Sequence, residues 1–165
     1  MTYLLMFILG ITSTTIMFPP TEVALVALAG VESVPPITKF GMTLDLARYR
    51  ADLPWLLPIV AAISTNIGNS MYYLVGAGAI RFDNKVTRKI RDFDINRLGR
   101  AKEVALCTAA LFSIPPVTAG AFASGVIKYG LLRYHLVTII PKIIRYYLVF
   151  WLGRSFINVI VNFIK

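Results

Sequence analysis

The first 31 residues are apolar almost throughout, with Glu22 as their single charged side chain, and Pro19-Pro20 interrupts them. Two adjacent prolines remove two backbone donors and stop a helix from running straight through. The pattern therefore predicts a half-helix over residues 2 to 17 and a partner over 21 to 31 returning toward the same side. Together they make a first re-entrant hairpin, residues 1 to 31. Residues 32 to 53 turn polar, with prolines and a glycine between the charges, and read as an interfacial connector carrying a short helix near residues 42 to 50. Residues 54 to 80 carry no charge. At about 1.5 Å per residue that run exceeds a bilayer core of about 30 Å and predicts a transmembrane helix. Within it Ala62, Asn66, Asn69, Tyr73 and Gly76 recur at helical spacing, so one face carries two amides, a phenol and small residues. Such a face packs against protein, either as hydrogen-bonding glue between helices or as a wall toward a substrate.

Residues 81 to 103 hold eight Lys/Arg and four acids, the densest charge in the chain. The positive-inside rule places this loop in the cytoplasm, and Val86, Ile90 and Phe93 give part of it an apolar face to lay on the membrane surface. Residues 104 to 128 then repeat the opening design, with an apolar arm, a break at Pro115-Pro116 and an arm of small residues. Pro20 precedes Gly30 by ten residues, as Pro115 precedes Gly125, and each hairpin is followed by a long segment containing Tyr-Tyr-Leu-Val, at 72 to 75 and at 146 to 149. Hairpin then spanning helix, twice over, is the order found in transporters built from inverted repeats. Residues 130 to 153 predict the second transmembrane helix, and 154 to 165 a C-terminal tail helix. His135, Thr138, Lys142 and Arg145 fall on one stripe of that second helix. Either the stripe faces a cavity or an anion, or the helix starts late and Lys142 and Arg145 snorkel to an interface.

Composition sharpens the class. With 57% hydrophobic residues and a mean hydropathy of +0.70, 165 residues are too apolar for an ordinary soluble domain and make room for about four to six embedded segments. Met1-Thr2-Tyr3 lacks the basic start of a signal peptide, and no small-residue cleavage site follows, so the first segment reads as structure. The expected fold is an all-α integral membrane protein, a single membrane domain over 1 to 165, with two inverted re-entrant hairpins packed against transmembrane helices. One cysteine and one histidine exclude a disulfide framework and a Cys/His metal cluster, so no metal or cofactor is expected. The net charge of +9 sits beside apolar spans, where anionic lipid headgroups account for it better than nucleic acid.

The stretches PPTEVALVALAG, NIGNSMYYLVG, IPPVTAGAFASG and IIRYYLVFWLG, within residues 10 to 155, resemble the DedA family, also called the VTT or SNARE-associated group, and its compact YqaA-like branch. That resemblance implies oppositely oriented re-entrant hairpins and lipid translocation: scrambling of phospholipids or recycling of polyprenyl phosphate, with H+ or Na+ coupling in some members. By position, Glu22 matches the family's acid after the first hairpin's proline. Gly68-Asn69 stands where the family has Gly-Asp, and Phe112 and Thr118 stand where many members carry arginine. Lys142 and Arg145 are then the cations left to meet a phosphate. Residues 32 to 53 look like an insertion relative to the compact members.

The expected function is a multi-pass cell-membrane transporter or scramblase for an anionic lipid headgroup, with room for a homo-oligomer. Glu22, Asn66, Asn69, Tyr73, Thr118, His135, Lys142 and Arg145 are its candidate substrate-contacting residues, and Pro19, Pro20, Pro115 and Pro116 its structural breaks. Half-helix N-termini after Pro20 and Pro116 add donors for a phosphate. A proton-coupled exporter of small cationic compounds and a non-transporting scaffold are the alternatives. A membrane enzyme is not expected, since no nucleophile sits beside a base and no paired carboxylates share a segment.

Overall fold

The computed structural model describes residues 1–16, 21–33, 37–39, 42–44, 51–79, 100–114 and 116–164. Six α-helices run through them: α1 (Thr2–Ile16), α2 (Thr21–Ser33), α3 (Leu57–Ala79), α4 (Ala101–Phe112), α5 (Val117–Val126) and α6 (Leu131–Ile164). A 3-10 turn over Pro54–Leu56 leads into α3. Pro19, Pro20 and Pro115 lie outside the described residues, as does most of the basic loop with Val86, Ile90 and Phe93.

One element departs from the all-α expectation. Strands β1 (Ile37–Lys39) and β2 (Met42–Leu44) pair antiparallel, with Ile37 opposite Leu44, Thr38 opposite Thr43 and Lys39 opposite Met42. The helix expected near residues 42 to 50 is thus a strand at its start, and 45 to 50 lie outside the described residues. β-Branched Ile37, Thr38 and Thr43 favour the extended backbone of the two strands.

The chain forms two compact units, one of residues 1–64 and 146–165 and one of residues 65–145. In the first, α1 packs on α2. Ser13 and Thr21 join their hydroxyls across the break between them. Further along, the two backbones of α2 and α6 approach closely: a Cβ at Gly153 would lie 3.3 Å from the Val26 Cα, and one at Gly30 would lie 2.7 Å from the Ile157 terminal methyl. Tyr147 donates to the Trp55 carbonyl at 2.6 Å.

In the second unit α4 packs on α5. Ser113 ends α4 in the left-handed region (φ 56°, ψ 22°) with its N–H on the Ala109 carbonyl, and Pro116, extended at φ −52°, ψ 134°, opens α5. α5 closes with paired bonds from the Tyr129 N–H to the Ser124 carbonyl (2.9 Å) and from the Lys128 N–H to the Gly125 carbonyl (3.0 Å), around Lys128 at φ 52°. This is the Schellman arrangement, here without its usual glycine. Contacts between α4 and α6 keep a nearly constant offset: Glu103 with Arg133, Cys107 with Val137, Ser113 with Arg145. The two helices therefore run side by side in the same direction. Gly76 and Gly125 bring α3 and α5 into backbone contact, where any Cβ would strike the Phe122 or Tyr73 carbonyl.

α6 contains Pro141, which cannot bond the Val137 carbonyl four residues back. The Cys107 thiol donates to that carbonyl at 3.5 Å in its place. The helix continues through the proline and is unbroken from Leu131, so Lys142 lies about 16 Å along the axis from its start. Among the described residues, one segment is long and apolar enough to cross a membrane, Leu131–Val159 of α6. The expected span at 54 to 80 forms the 23-residue α3, but Ser64, Thr65, Asn66, Asn69 and Ser70 dilute its hydropathy below that standard.

Candidate functional site

The polar residues of α3 and α6 meet within the second unit. Asn66 is the centre. Its Nδ2 donates to the His135 carbonyl at 3.3 Å, and its Oδ1 accepts from Thr138 Oγ1 at 3.0 Å and from Lys142 Nζ at 2.9 Å. Both ends of the amide are thereby used, and a primary ammonium is held by a neutral oxygen. Thr138 also back-bonds to the Tyr134 carbonyl at 2.8 Å, which fixes its rotamer. One turn along α3, Ser70 Oγ and His135 Nε2 are 3.1 Å apart. Asn66, Thr138 and Lys142 are all buried, Lys142 to 3% exposure.

Beside this cluster lie two buried polar atoms, the Asn69 carbonyl oxygen and the Tyr134 hydroxyl. The Asn69 amide lies near enough to the Tyr134 hydroxyl to interact with it, but neither of these two oxygens has a hydrogen bond of ordinary geometry among the described residues. Tyr134 packs edge-on to His135 (centroids 5.4 Å) and at a tilt to Tyr73 (6.3 Å). Unsatisfied polar atoms in an interior cost about 1–3 kcal/mol each, which the Asn69–Tyr134 interaction offsets in part.

The helical stripe of His135, Thr138, Lys142 and Arg145 is continuous, and its first three members face α3. Lys142 is buried against Asn66, in a helix that starts at Leu131. Arg145, half-buried one turn further on, donates to Ser113 Oγ at the break between α4 and α5. Thr118 is half-buried in the first turn of α5, and Glu22 is half-buried in the first turn of α2, in the other unit. Asn66, His135 and Lys142 thus form one bonded cluster with Asn69 and Tyr73 at its edge. Ser70, Tyr134 and Ser113 were not singled out by spacing alone, although Ser70 lies four residues from Asn66 and Tyr134 four from Thr138. Cys107 was signalled indirectly, by the carbonyl that Pro141 leaves without a donor.

Compared with known families, with curated proteins and with solved structures, the chain shows no match.

Proposed function

We propose that this chain is a membrane transporter or scramblase for an anionic lipid headgroup, a phospholipid or a polyprenyl phosphate, in which Lys142 and Arg145 meet the phosphate. The observation that carries the reading is Lys142: a buried ammonium near the middle of the one helix that, among the described residues, is apolar enough to span, coordinated by an amide. Cations at such a depth are costly and belong to functional pathways. The distribution of side chains supports a lipid surround. On α3 the large apolar residues Ile63, Ile67, Met71, Leu74 and Val75 are exposed while Ser64, Thr65, Asn66 and Asn69 are buried, the inverse of a soluble protein.

Helices α1, α2, α4 and α5 have 15, 13, 12 and 10 residues. Each is shorter than the roughly 20 residues a span needs, as re-entrant arms are. Arg145 sits at the α4–α5 break, where α5 begins without a side-chain cap, so its first N–H groups and the guanidinium offer donors to the same anion. Glu22 takes the part of a proton or ion site in the first turn of α2.

Proteoliposomes containing the purified chain and a tail-labelled fluorescent phospholipid test this reading by the accessibility of the label to an external reductant. Wild type is expected to expose the inner-leaflet pool, and Lys142→Gln and Arg145→Gln each to abolish that movement while keeping a cooperative melting transition. Full lipid movement by the double variant would remove the headgroup mechanism and leave the exporter of cationic compounds ahead.

A further inference from the structure

A second feature of residues 65–145 is independent of the buried lysine. Between α4 and α5 runs a groove of about 400 Å³, walled by Ala105, Leu106, Ala109, Ala119, Gly120 and Ala123. Its walls are almost wholly apolar, and small residues on both arms leave it open where larger ones would interdigitate. Val104, Phe112 and Phe122 are exposed on the same two helices, so the groove opens onto an apolar surface.

One end of the groove is different. There the start of α4 meets the turn after α5, and Tyr129 closes the end with Lys102 over its ring at 5.7 Å and Arg133 at 5.5 Å. Glu103 pairs with Arg133 at 2.5 Å and accepts from the Tyr129 hydroxyl at 3.4 Å, which leaves this end net positive. Arg100 and Lys128 flank it in sequence and are exposed. A slot for a hydrocarbon chain that ends in an excess of cations on an aromatic platform has the two-part chemistry of an anionic phospholipid. We infer that the α4–α5 groove holds one acyl chain of a resident anionic glycerophospholipid, whose phosphate lies on Lys102 and Arg133. The inference rests on the membrane reading above but not on the headgroup passing Lys142: this lipid is bound, not cargo.

The test is the melting temperature of the full chain in detergent, with phosphatidylglycerol or phosphatidylcholine of the same tails added. Phosphatidylglycerol is expected to raise it by about 3 to 5 °C near tenfold saturation, and phosphatidylcholine by less than half of that. Ala105→Leu with Ala123→Leu, which fills the groove from both walls at exposed positions, should remove the shift. Lys102→Gln should erase the preference between the two lipids. If the double variant does not fold, Ala119→Leu alone should still reduce the shift. An equal rise with both lipids in wild type, or an undiminished phosphatidylglycerol shift in the filled-groove variant, would overturn the site. Lys142→Gln separates the two readings. It should keep the lipid shift while losing lipid movement, and loss of the shift there would place the bound lipid at the buried lysine and end the groove proposal.

Discussion

The helix pairs α1–α2 and α4–α5 arise from a repeated sequence pattern and are locked in different ways. In α1–α2 the arms are tied by neutral hydroxyls, Ser13 with Thr21, and of the two glycine contacts between the second arm and α6, Gly30 meets only the Ile157 side chain, which can turn, while Gly153 lies against the Val26 Cα and side chain at 3.0–3.3 Å. In α4–α5 the break is held by a guanidinium from another helix, Arg145 on Ser113, and the glycine contact with α3 is backbone on backbone. The duplicated sequence pattern therefore carries two mechanical grades. The first pair is fastened by hydroxyls at its break and has more give at Gly30, where the neighbour is a side chain. The second is fastened to both α3 and α6 with no slack, and the buried polar cluster lies in that same unit.

The largest effect expected from this contrast is at the glycines. Gly125→Val or Gly76→Val drives a side chain into a main-chain carbonyl and should cost more than about 4 kcal/mol, seen as loss of a folded, monodisperse protein in detergent. Gly30→Ala should cost within about 1 kcal/mol, because the atom it meets can move aside by a rotamer change. Comparable losses at Gly30 and Gly125 would erase the distinction.

Next comes Asn66. Replacing it by Leu leaves Lys142 and Thr138 without their shared acceptor and should cost about 2 to 3 kcal/mol in thermal unfolding, with loss of lipid movement. Asn66→Asp keeps an acceptor for the ammonium and should recover most of the stability. A third comparison sets the two breaks against each other. Ser13→Ala removes a buried hydroxyl pair and should cost about 1 kcal/mol. Ser113→Gly loses the Arg145 contact but relieves a left-handed residue, so its net change in melting should be within about 0.5 kcal/mol. The smallest expected effect is at Cys107: Ala there strips the Val137 carbonyl of its substitute donor, for about 0.5 to 1 kcal/mol, and Pro141→Ala should make that loss disappear in the double variant.

Helix positions were legible because prolines and uncharged runs are strong local signals. Residues at 4, 3, 4, 3 spacing on α3 do line its buried face: Ala62, Asn66, Asn69 and Gly76 are buried and Tyr73 half-buried. The role of that face was not legible, since an amide at helical spacing reads equally as glue or as a wall. Only the pairing with α6 shows that Asn66 is fully engaged while Asn69 keeps an unused oxygen. The β1–β2 ribbon was not read from the sequence, because the charges, prolines and glycine of residues 32 to 53 mark a polar connector, and Ile37, Thr38 and Thr43 are a weak strand signal beside them. Ser113 was missed for another reason: it is set by a left-handed backbone that any polar residue before Ile-Pro-Pro could have avoided.

The constant offset between α4 and α6 limits how this part of the molecule can work. Contacts at 103 with 133, at 107 with 137 and at 113 with 145 are rungs of one ladder, and a slide of either helix by a single turn would shear all three together. Such a pair behaves as a rod with two strands and can tilt or swing only as a unit. On the proposed headgroup path, an anion arriving at Arg145 would compete with Ser113 at one end of the rod, and unlatching there would be felt at the Arg133–Glu103 end, roughly 18 Å away along α6.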